Sequence, residues 1–185
     1  MSELTALLAK APLRRLEATL VRAVAAAALF SMRSPEGPDF LFTSGERNRF
    51  NLTGTRCLYF SETESVALKE YQNQFRAAFM ALQPVTLFYA QVRLKFVLDL
   101  TEETTLKELR ISKQDLKMNW VDTLSATTSQ RLGEAVAARK KIVAIRYDSV
   151  ATSSGCNLVI FPANLNSMDF VRILGPSRKP LQKWP

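Results

Sequence analysis

A tyrosine and a glutamate that frame one strand-to-helix connection are the first candidates for chemistry. Tyr59 stands at the end of a short β-rich run, 56–60, and Glu70 follows eleven residues later in a helix that begins near Ser61. Glu70 falls one helical turn after Val66, beside an apolar stripe, where a carboxylate is either paired or functional. The alternative is an ordinary helix glutamate that faces solvent.

Three arginines could bind an anion. Arg47 and Arg49 lie in the segment SGERNRFNLTG, residues 44–54, where glycines allow close backbone approach and guanidinium groups suit phosphate. The spacing is not that of a P-loop, and the alternative is a solvated turn. Arg22 interrupts the apolar run LVRAV, so it needs partners if its strand is buried, or it reaches water from an edge strand.

A serine follows the first of two predicted apolar strands, 142–147 and 156–161. This residue, Ser149, belongs to a loop of small polar residues, and such loops at strand ends commonly carry binding groups. The chain has no histidine and no GxSxG motif, so Ser149 is a poor candidate nucleophile. We expect it to hydrogen-bond a ligand.

Composition excludes several classes of site. The lack of histidine in 185 residues excludes Ser-His-Asp triads, Cys-His dyads, HExxH zinc sites and histidine-bound haem. Cys57 and Cys156 are too far apart in sequence to form a CxxC pair. The formal charge of +8 fits nucleic acid, an anionic ligand or an acidic protein. Because basic residues do not alternate with aromatic ones, direct binding of nucleic acid is not expected.

The hydrophobic patterns and the positions of glycine and proline predict one α+β domain with short additions at both ends. Helices are predicted over 2–17 with a break at Pro12, from about 61 to 82, within 102–118 as one or two short helices, and over 129–139. Strands are predicted over 17–24, 56–60, 86–100, 142–147, 156–161 and 170–174. The predicted division is a helical extension, 1–16, a domain, 17–174, and a basic, proline-rich tail, 175–185, expected to be mobile.

No segment reads as a secretory signal or a membrane span. The first 20 residues carry charges through any apolar stretch, and the longest apolar run, 23–30, is too short to cross a bilayer. We therefore expect a soluble cytoplasmic protein that does not contact membranes and whose cysteines are reduced.

Taken together and in order, these stretches resemble the RES domain family, which is named for Arg, Glu and Ser. The family has a strand with an arginine, a GRWNPPG-like loop, a strand ending in Leu-Tyr or Val-Tyr, a helix with a glutamate, an R-Y-x-S segment and an N-L-V-x-F strand. The matching segments are LVRAV at Arg22, RFNLTG at 49–54, CLYFS with Tyr59, SVALKE ending at Glu70, RYDS ending at Ser149, and NLVIF at 157–161. The resemblance covers about residues 16–162, with Leu52-Thr53 in place of Pro-Pro and Phe50 in place of the tryptophan.

The resemblance implies a fold and an activity. The fold would be a mixed, strongly bent β-sheet with flanking helices, similar to ADP-ribosyltransferases. The activity would be cleavage of the nicotinamide–ribose bond of NAD⁺, by hydrolysis or by phosphorolysis with phosphate as co-substrate, in the toxin of a toxin–antitoxin pair. The implied partners are a helix-turn-helix antitoxin and a second copy in a homodimer. The alternatives are mono-ADP-ribosylation of a protein and a module that holds a nucleotide or a partner without turnover.

The resemblance also implies roles for residues, with NAD⁺ as substrate and no metal. Glu70 would stabilise positive charge on the ribose or orient the incoming acceptor, arginines would hold the pyrophosphate, and Tyr59 would stack on a ring. Ser149 would hydrogen-bond the ribose or fix Glu70. Whether Arg47 or Arg49 contacts the ligand stays open. The implied catalytic residues are Glu70, Arg49, Tyr59 and Ser149, and the implied NAD⁺-binding residues are Arg22, Arg47, Arg49, Tyr59 and Asn157.

Overall fold

Two long strands, β1 (Leu13–Ala25) and β5 (Val85–Asp99), organise the sheet by pairing antiparallel from Leu13↔Leu98 to Ala25↔Val85. Polar and apolar residues alternate along the first part of β1, as expected for a strand with one solvated face. The computed structural model describes residues 3–26, 33–34, 37–38, 46–77, 83–121, 123–174 and 180–184.

The other elements are short. The strands are β2 (Arg33–Ser34), β3 (Gly37–Pro38), β4 (Leu58–Ser61), β6 (Ala144–Asp148), β7 (Cys156–Ile160), β8 (Phe170–Leu174) and β9 (Pro180–Trp184). The helices are α1 (Glu3–Lys10), α2 (Glu64–Ala77), α3 (Glu103–Leu109), α4 (Lys113–Leu116) and α5 (Thr128–Arg139), with a 3₁₀ turn over Pro162–Asn164. β2 and β3 form a separate small ribbon.

Five strands close into a ring in the order β1, β4, β7, β6, β5 and back to β1. The parallel pair β5–β6 and the antiparallel pairs β6–β7 and β7–β4 complete the circuit, which closes at Val21↔Ser61. β8 pairs with β5 over a different stretch, Tyr89–Arg93, and β9 pairs with β8. Closing strands into a ring requires strong bending of the sheet. The predicted mixed fold with a bent sheet and flanking helices is confirmed; its likeness to ADP-ribosyltransferases stays a prediction.

Apolar side chains cover both faces of the sheet. One cluster lies among the strands themselves and includes Leu20, Phe88 and Ile160. The second includes Leu8 of α1, Leu132 of α5 and Phe50 of the loop before β4. Because Leu8 is buried in this second cluster, α1 packs against the rest of the domain.

Both predicted ends differ from the observed ones. α1 stops at Lys10, close to the break predicted at Pro12, but β1 begins at Leu13, so the prediction of helix over 13–17 is wrong. Pro12 accounts for the stop, because proline breaks a helix and disfavours helical geometry in the residue before it. The expected mobile tail contains β9, which pairs antiparallel with β8. The predicted end of α2 near residue 82 lies outside the described residues.

A charged network ties the start of α2 to the ring. Arg146 of β6 binds Glu62 through Nε and Nη2, and it also contacts the buried carboxylate of Asp99 and the hydroxyl of Thr101. The hydrogen bond to Glu62 is the largest cause that raises the pKa of Arg146 above its usual value. Because Arg14 of β1 binds the same Asp99 carboxylate at 2.8 Å, three strands meet at one buried charge.

Candidate active site

The carboxylate of Glu70 lies at the centre of a hydrogen-bonded cluster. Its Oε1 accepts from Ser149 Oγ at 2.6 Å and from Asn157 Nδ2 at 2.6 Å. Asn157 Oδ1 in turn accepts from Ser61 Oγ at 2.7 Å. Within the described residues Oε2 accepts no hydrogen bond, so one oxygen of Glu70 is fixed by the protein and the other is available to a ligand.

Strand register explains why these polar groups meet. Ser61 of β4 pairs with Asn157 of β7, and Asn157 pairs with Tyr147 of β6. Residues paired across antiparallel strands share a face of the sheet, so this row presents polar atoms to α2, where Glu70 lies. Glu70 is therefore hydrogen-bonded within the protein, which is the first of the two possibilities that the sequence indicated.

The loop between β6 and β7 fixes Ser149. Ser149 Oγ accepts from Ala151 N at 3.0 Å, and its backbone N donates to Gly155 O at 2.9 Å. Gly155 has φ +133°, and a Cβ there would lie 2.5 Å from Val66 Cγ2 on α2. The glycine thus lets the loop lie close against the helix that carries Glu70.

Tyr59 anchors the arginine-bearing loop, whose described part is 46–54. Its hydroxyl accepts from Phe50 N at 2.9 Å and donates to Asn51 Oδ1 at 3.0 Å. Burial raises the pKa of Tyr59 well above its usual value, so the hydroxyl keeps its hydrogen at neutral pH. Since the hydroxyl both accepts a hydrogen bond from this loop and donates one to it, Tyr59 holds the loop in place.

Arg22 and Arg49 both lie within electrostatic range of Tyr147. Arg22 Nη1 donates to the carbonyl of Tyr59 at 2.9 Å, and Arg49 Nη1 donates to the carbonyl of Leu116 at 2.8 Å. Burial lowers the pKa of Arg22 to about 10, so it is still charged at neutral pH. Its Nε is buried without a partner among the described residues. Both arginines retain donors for a ligand.

Arg47, in contrast, donates several hydrogen bonds to other residues of the protein. Its terminal nitrogens donate to the carbonyl and hydroxyl of Thr123, to the carbonyl of Ser125 and to Gln130 Oε1. These bonds tie the loop to the segment before α5. The two arginines of the loop therefore face different surroundings although they are two residues apart.

Tyr147 joins the two halves of the site and was assigned no role from the sequence. Its ring lies 4.6 Å from that of Phe50, centroid to centroid. Burial raises the pKa of Tyr147, and the charge of Glu70 adds to the rise while those of Arg49 and Arg22 oppose it. The tyrosine is thus within electrostatic range of all three groups. The available signal was its place in the RYDS segment.

A small open cleft lies beside Tyr147. Its walls are Leu100, Lys113, Leu116, Lys117, Tyr147, Asp148 and Val150. Lys113 Nζ binds Asp148 Oδ2 at 2.9 Å across this cleft. Because Arg49 donates to Leu116, the cleft adjoins the arginine-bearing loop as well as the strand that carries Tyr147.

Helix α5 supports the arginine-bearing loop, and sequence reasoning did not foresee this role. Gln130 Nε2 donates to Asn48 O at 2.9 Å, and Glu134 Oε1 accepts from Leu52 N at 3.1 Å. Gly133 lies between them, directly against the backbone of Phe50. The helix begins with a capping box formed by Thr127 and Gln130, and this T-x-x-Q pattern is a sequence signal for its start.

The described residues contain no group of three or more His, Cys, Asp or Glu side chains that could hold a metal ion. Both cysteines are free thiols, and burial raises the pKa of Cys57 to about 12. No helix in the described ranges combines the length and the apolar character that crossing a bilayer requires.

Of the predicted site residues, the structure brings Arg22, Arg49, Tyr59, Glu70, Ser149 and Asn157 into one region, while Arg47 contacts the segment before α5. A chain from the crystal structure of the M. tuberculosis MbcT–MbcA toxin–antitoxin complex is similar in fold, with a TM-score of 0.65 at 16% sequence identity. The match covers 95% of this chain and 94% of that chain. No curated protein matches the sequence. The model of the RES domain family matches residues 12–179, which is most of the sequence, and the chain therefore belongs to the RES domain family.

Proposed function

We propose that this protein is an NAD⁺-consuming enzyme that cleaves the nicotinamide–ribose bond, and that it is the toxin of a toxin–antitoxin pair. The observation that carries the proposal is the way in which the two carboxylate oxygens of Glu70 are hydrogen-bonded. One of its oxygens is fixed by Ser149 and Asn157, the other is free among the described residues, and two cationic side chains lie nearby.

The chemistry suits these residue types. When the bond breaks, its electron pair leaves with nicotinamide as a neutral molecule, and positive charge develops on the ribose. The free oxygen of Glu70 stabilises that charge or accepts a hydrogen bond from a ribose hydroxyl. A neutral leaving group needs no general acid, so the absence of histidine is no obstacle.

Arg22 and Arg49 are assigned to the pyrophosphate, because each keeps guanidinium donors that no described residue uses and both lie within electrostatic range of Tyr147. Arg47 is assigned to loop positioning. Tyr59 is likewise assigned to positioning rather than to stacking on a ring, since its hydroxyl holds Phe50 and Asn51. Ser149 and Asn157 are assigned to orienting Glu70.

The partner proposal rests on the similar solved structure, which is a toxin–antitoxin complex. By that likeness and the family membership, a helix-turn-helix antitoxin is the proposed protein partner of this chain. A homodimer and a cytoplasmic location remain proposals that follow from the family.

One experiment tests the reaction. The purified protein is incubated with NAD⁺, with and without phosphate, and the products are separated by chromatography and identified by mass. Nicotinamide with ADP-ribose means hydrolysis, and nicotinamide with a phosphorylated ADP-ribose means phosphorolysis. Label from NAD⁺ on a protein band instead means ADP-ribosylation of protein. Binding without nicotinamide release would refute the enzymatic proposal.

Arg49→Ala is expected to weaken ligand binding, whereas Arg47→Ala is expected to lower the stability of the protein. Removing Arg49 should weaken ADP-ribose binding by about 10- to 100-fold, because charge-assisted contacts to phosphate are lost. Removing Arg47 should instead lower the free energy of unfolding by about 2 kcal/mol, because Thr123, Ser125 and Gln130 lose their donor. Calorimetric titration with ADP-ribose and urea denaturation measure the two quantities. The opposite pattern would assign the ligand to Arg47.

A further inference from the structure

The hydroxyl of Tyr147 has no assigned partner, although the side chain is largely buried. The residue is 7% exposed, and its ring packs on Phe50. Among the residues that the structure describes, the hydroxyl makes no hydrogen bond. A hydroxyl group that no described residue binds can take its hydrogen-bond partner from water or from a ligand. Since Tyr147 lines the open cleft, that partner can come from outside the protein.

The surroundings of Tyr147 indicate what kind of atom would satisfy it. Arg49 and Arg22 lie within electrostatic range, and Lys113 and Lys117 line the same cleft. Lys113 is paired with Asp148. Four cationic side chains around one donor favour an anionic acceptor. Glu70, the nearby carboxylate, requires the opposite: a ligand group that donates, such as a ribose hydroxyl.

Tyr59 supplies the contrast within the same site. Its hydroxyl accepts from Phe50 and donates to Asn51, so its hydrogen-bonding capacity is used by the protein. Both tyrosines are buried near Arg22 and Arg49. Only the hydroxyl of Tyr147 remains available, within the described residues, for a ligand.

We infer that Tyr147 is a substrate-binding residue whose hydroxyl donates a hydrogen bond to a phosphate oxygen of the bound dinucleotide, beside Arg49. This inference rests on the proposed function and adds to it a contact that the sequence did not indicate. Burial raises the pKa of Tyr147, which keeps the hydrogen in place at neutral pH. The hydroxyl therefore serves as a neutral donor next to the cationic groups.

The test compares Tyr147→Phe with Tyr59→Phe, which remove the same atom from two neighbouring rings. ADP-ribose is the probe, because it carries the pyrophosphate but has no nicotinamide to lose. Tyr147→Phe should weaken ADP-ribose binding by about 10- to 100-fold and raise KM for NAD⁺, with kcat within about twofold of wild type. Its thermal unfolding midpoint should stay at the wild-type value. Tyr59→Phe should lower that midpoint, because two internal hydrogen bonds disappear.

Three results would overturn the inference about Tyr147 while the proposed function stands, provided that the wild-type protein releases nicotinamide. The first is ADP-ribose binding by Tyr147→Phe at wild-type strength. The second is a loss of thermal stability equal to that of Tyr59→Phe, which would mean an internal partner. The third is a fall in kcat at constant KM, which would place the hydroxyl at the reacting ribose. If the wild-type protein neither binds ADP-ribose nor releases nicotinamide, the proposed function fails and the inference fails with it.

Discussion

Glu70→Gln is expected to lower the rate of nicotinamide release from NAD⁺ by about 10²- to 10⁴-fold while the protein stays folded. The glutamine carbonyl can still accept from Ser149 and Asn157, so the hydrogen bonds that hold the side chain survive. The negative charge next to the developing cation does not. Chromatographic measurement of nicotinamide at saturating NAD⁺ gives the effect on the chemical step.

Glu64→Gln is the matched control for this variant. Glu64 begins the same helix but is exposed and accepts from the Tyr89 hydroxyl, away from Ser149 and Asn157. It should leave nicotinamide release unchanged. Both variants should bind ADP-ribose and unfold at the wild-type temperature. Undiminished activity in folded Glu70→Gln would mean that another group stabilises the transition state.

The polar cluster around Glu70 could be predicted because each member has a local signal. Glu70 lies beside the apolar stripe of a well-marked helix, and Ser149 and Asn157 flank a loop between two apolar strands. Their meeting depends on strand order, which these signals do not specify. The ring places β7 between β4 and β6, and this pairing brings residues about 80 to 90 positions apart within 2.6 Å.

The roles of the two loop arginines could not be separated from the sequence. Both are in the same short segment, with the same charge and similar neighbours. What distinguishes them is long-range: Arg47 meets Thr123 and Gln130, and Arg49 meets Leu116. The hydroxyl partners of Tyr59 could not be predicted for the same reason, since they are set by how the loop folds back on β4.

Local composition does not predict the strands nearest the two ends of the chain, because long-range pairing forms them. The residues of β1 before Glu17 could form a helix by composition, but pairing with β5 continues to Leu13 and fixes them as strand. The proline-rich end suggested a mobile tail. Its last five described residues instead hydrogen-bond to β8, an interaction that composition does not reveal.

Gly133→Ala is expected to have the largest effect on stability, because it changes the contact through which α5 supports the arginine-bearing loop. Alanine ordinarily stabilises a helix interior relative to glycine by about 1 kcal/mol. Here the added Cβ would lie 1.7 Å from the Phe50 carbonyl oxygen and 2.6 Å from its carbon. The loop backbone accepts a hydrogen bond from Gln130 and donates one to the Tyr59 hydroxyl, so it cannot move away freely. We expect the free energy of unfolding to fall by at least about 2 kcal/mol.

Urea denaturation measures this loss, and Ala138→Gly is the control with the reverse exchange on the same helix. Ala138 is exposed, so its variant should lose only about 0.5–1 kcal/mol and bind ADP-ribose as wild type does. The folded fraction of Gly133→Ala should bind ADP-ribose more weakly, because displacing Phe50 displaces Arg49 beside it. A Gly133→Ala protein as stable as wild type would mean that α5 does not press on the loop, and the positions of Arg49 and Tyr59 would then need another cause.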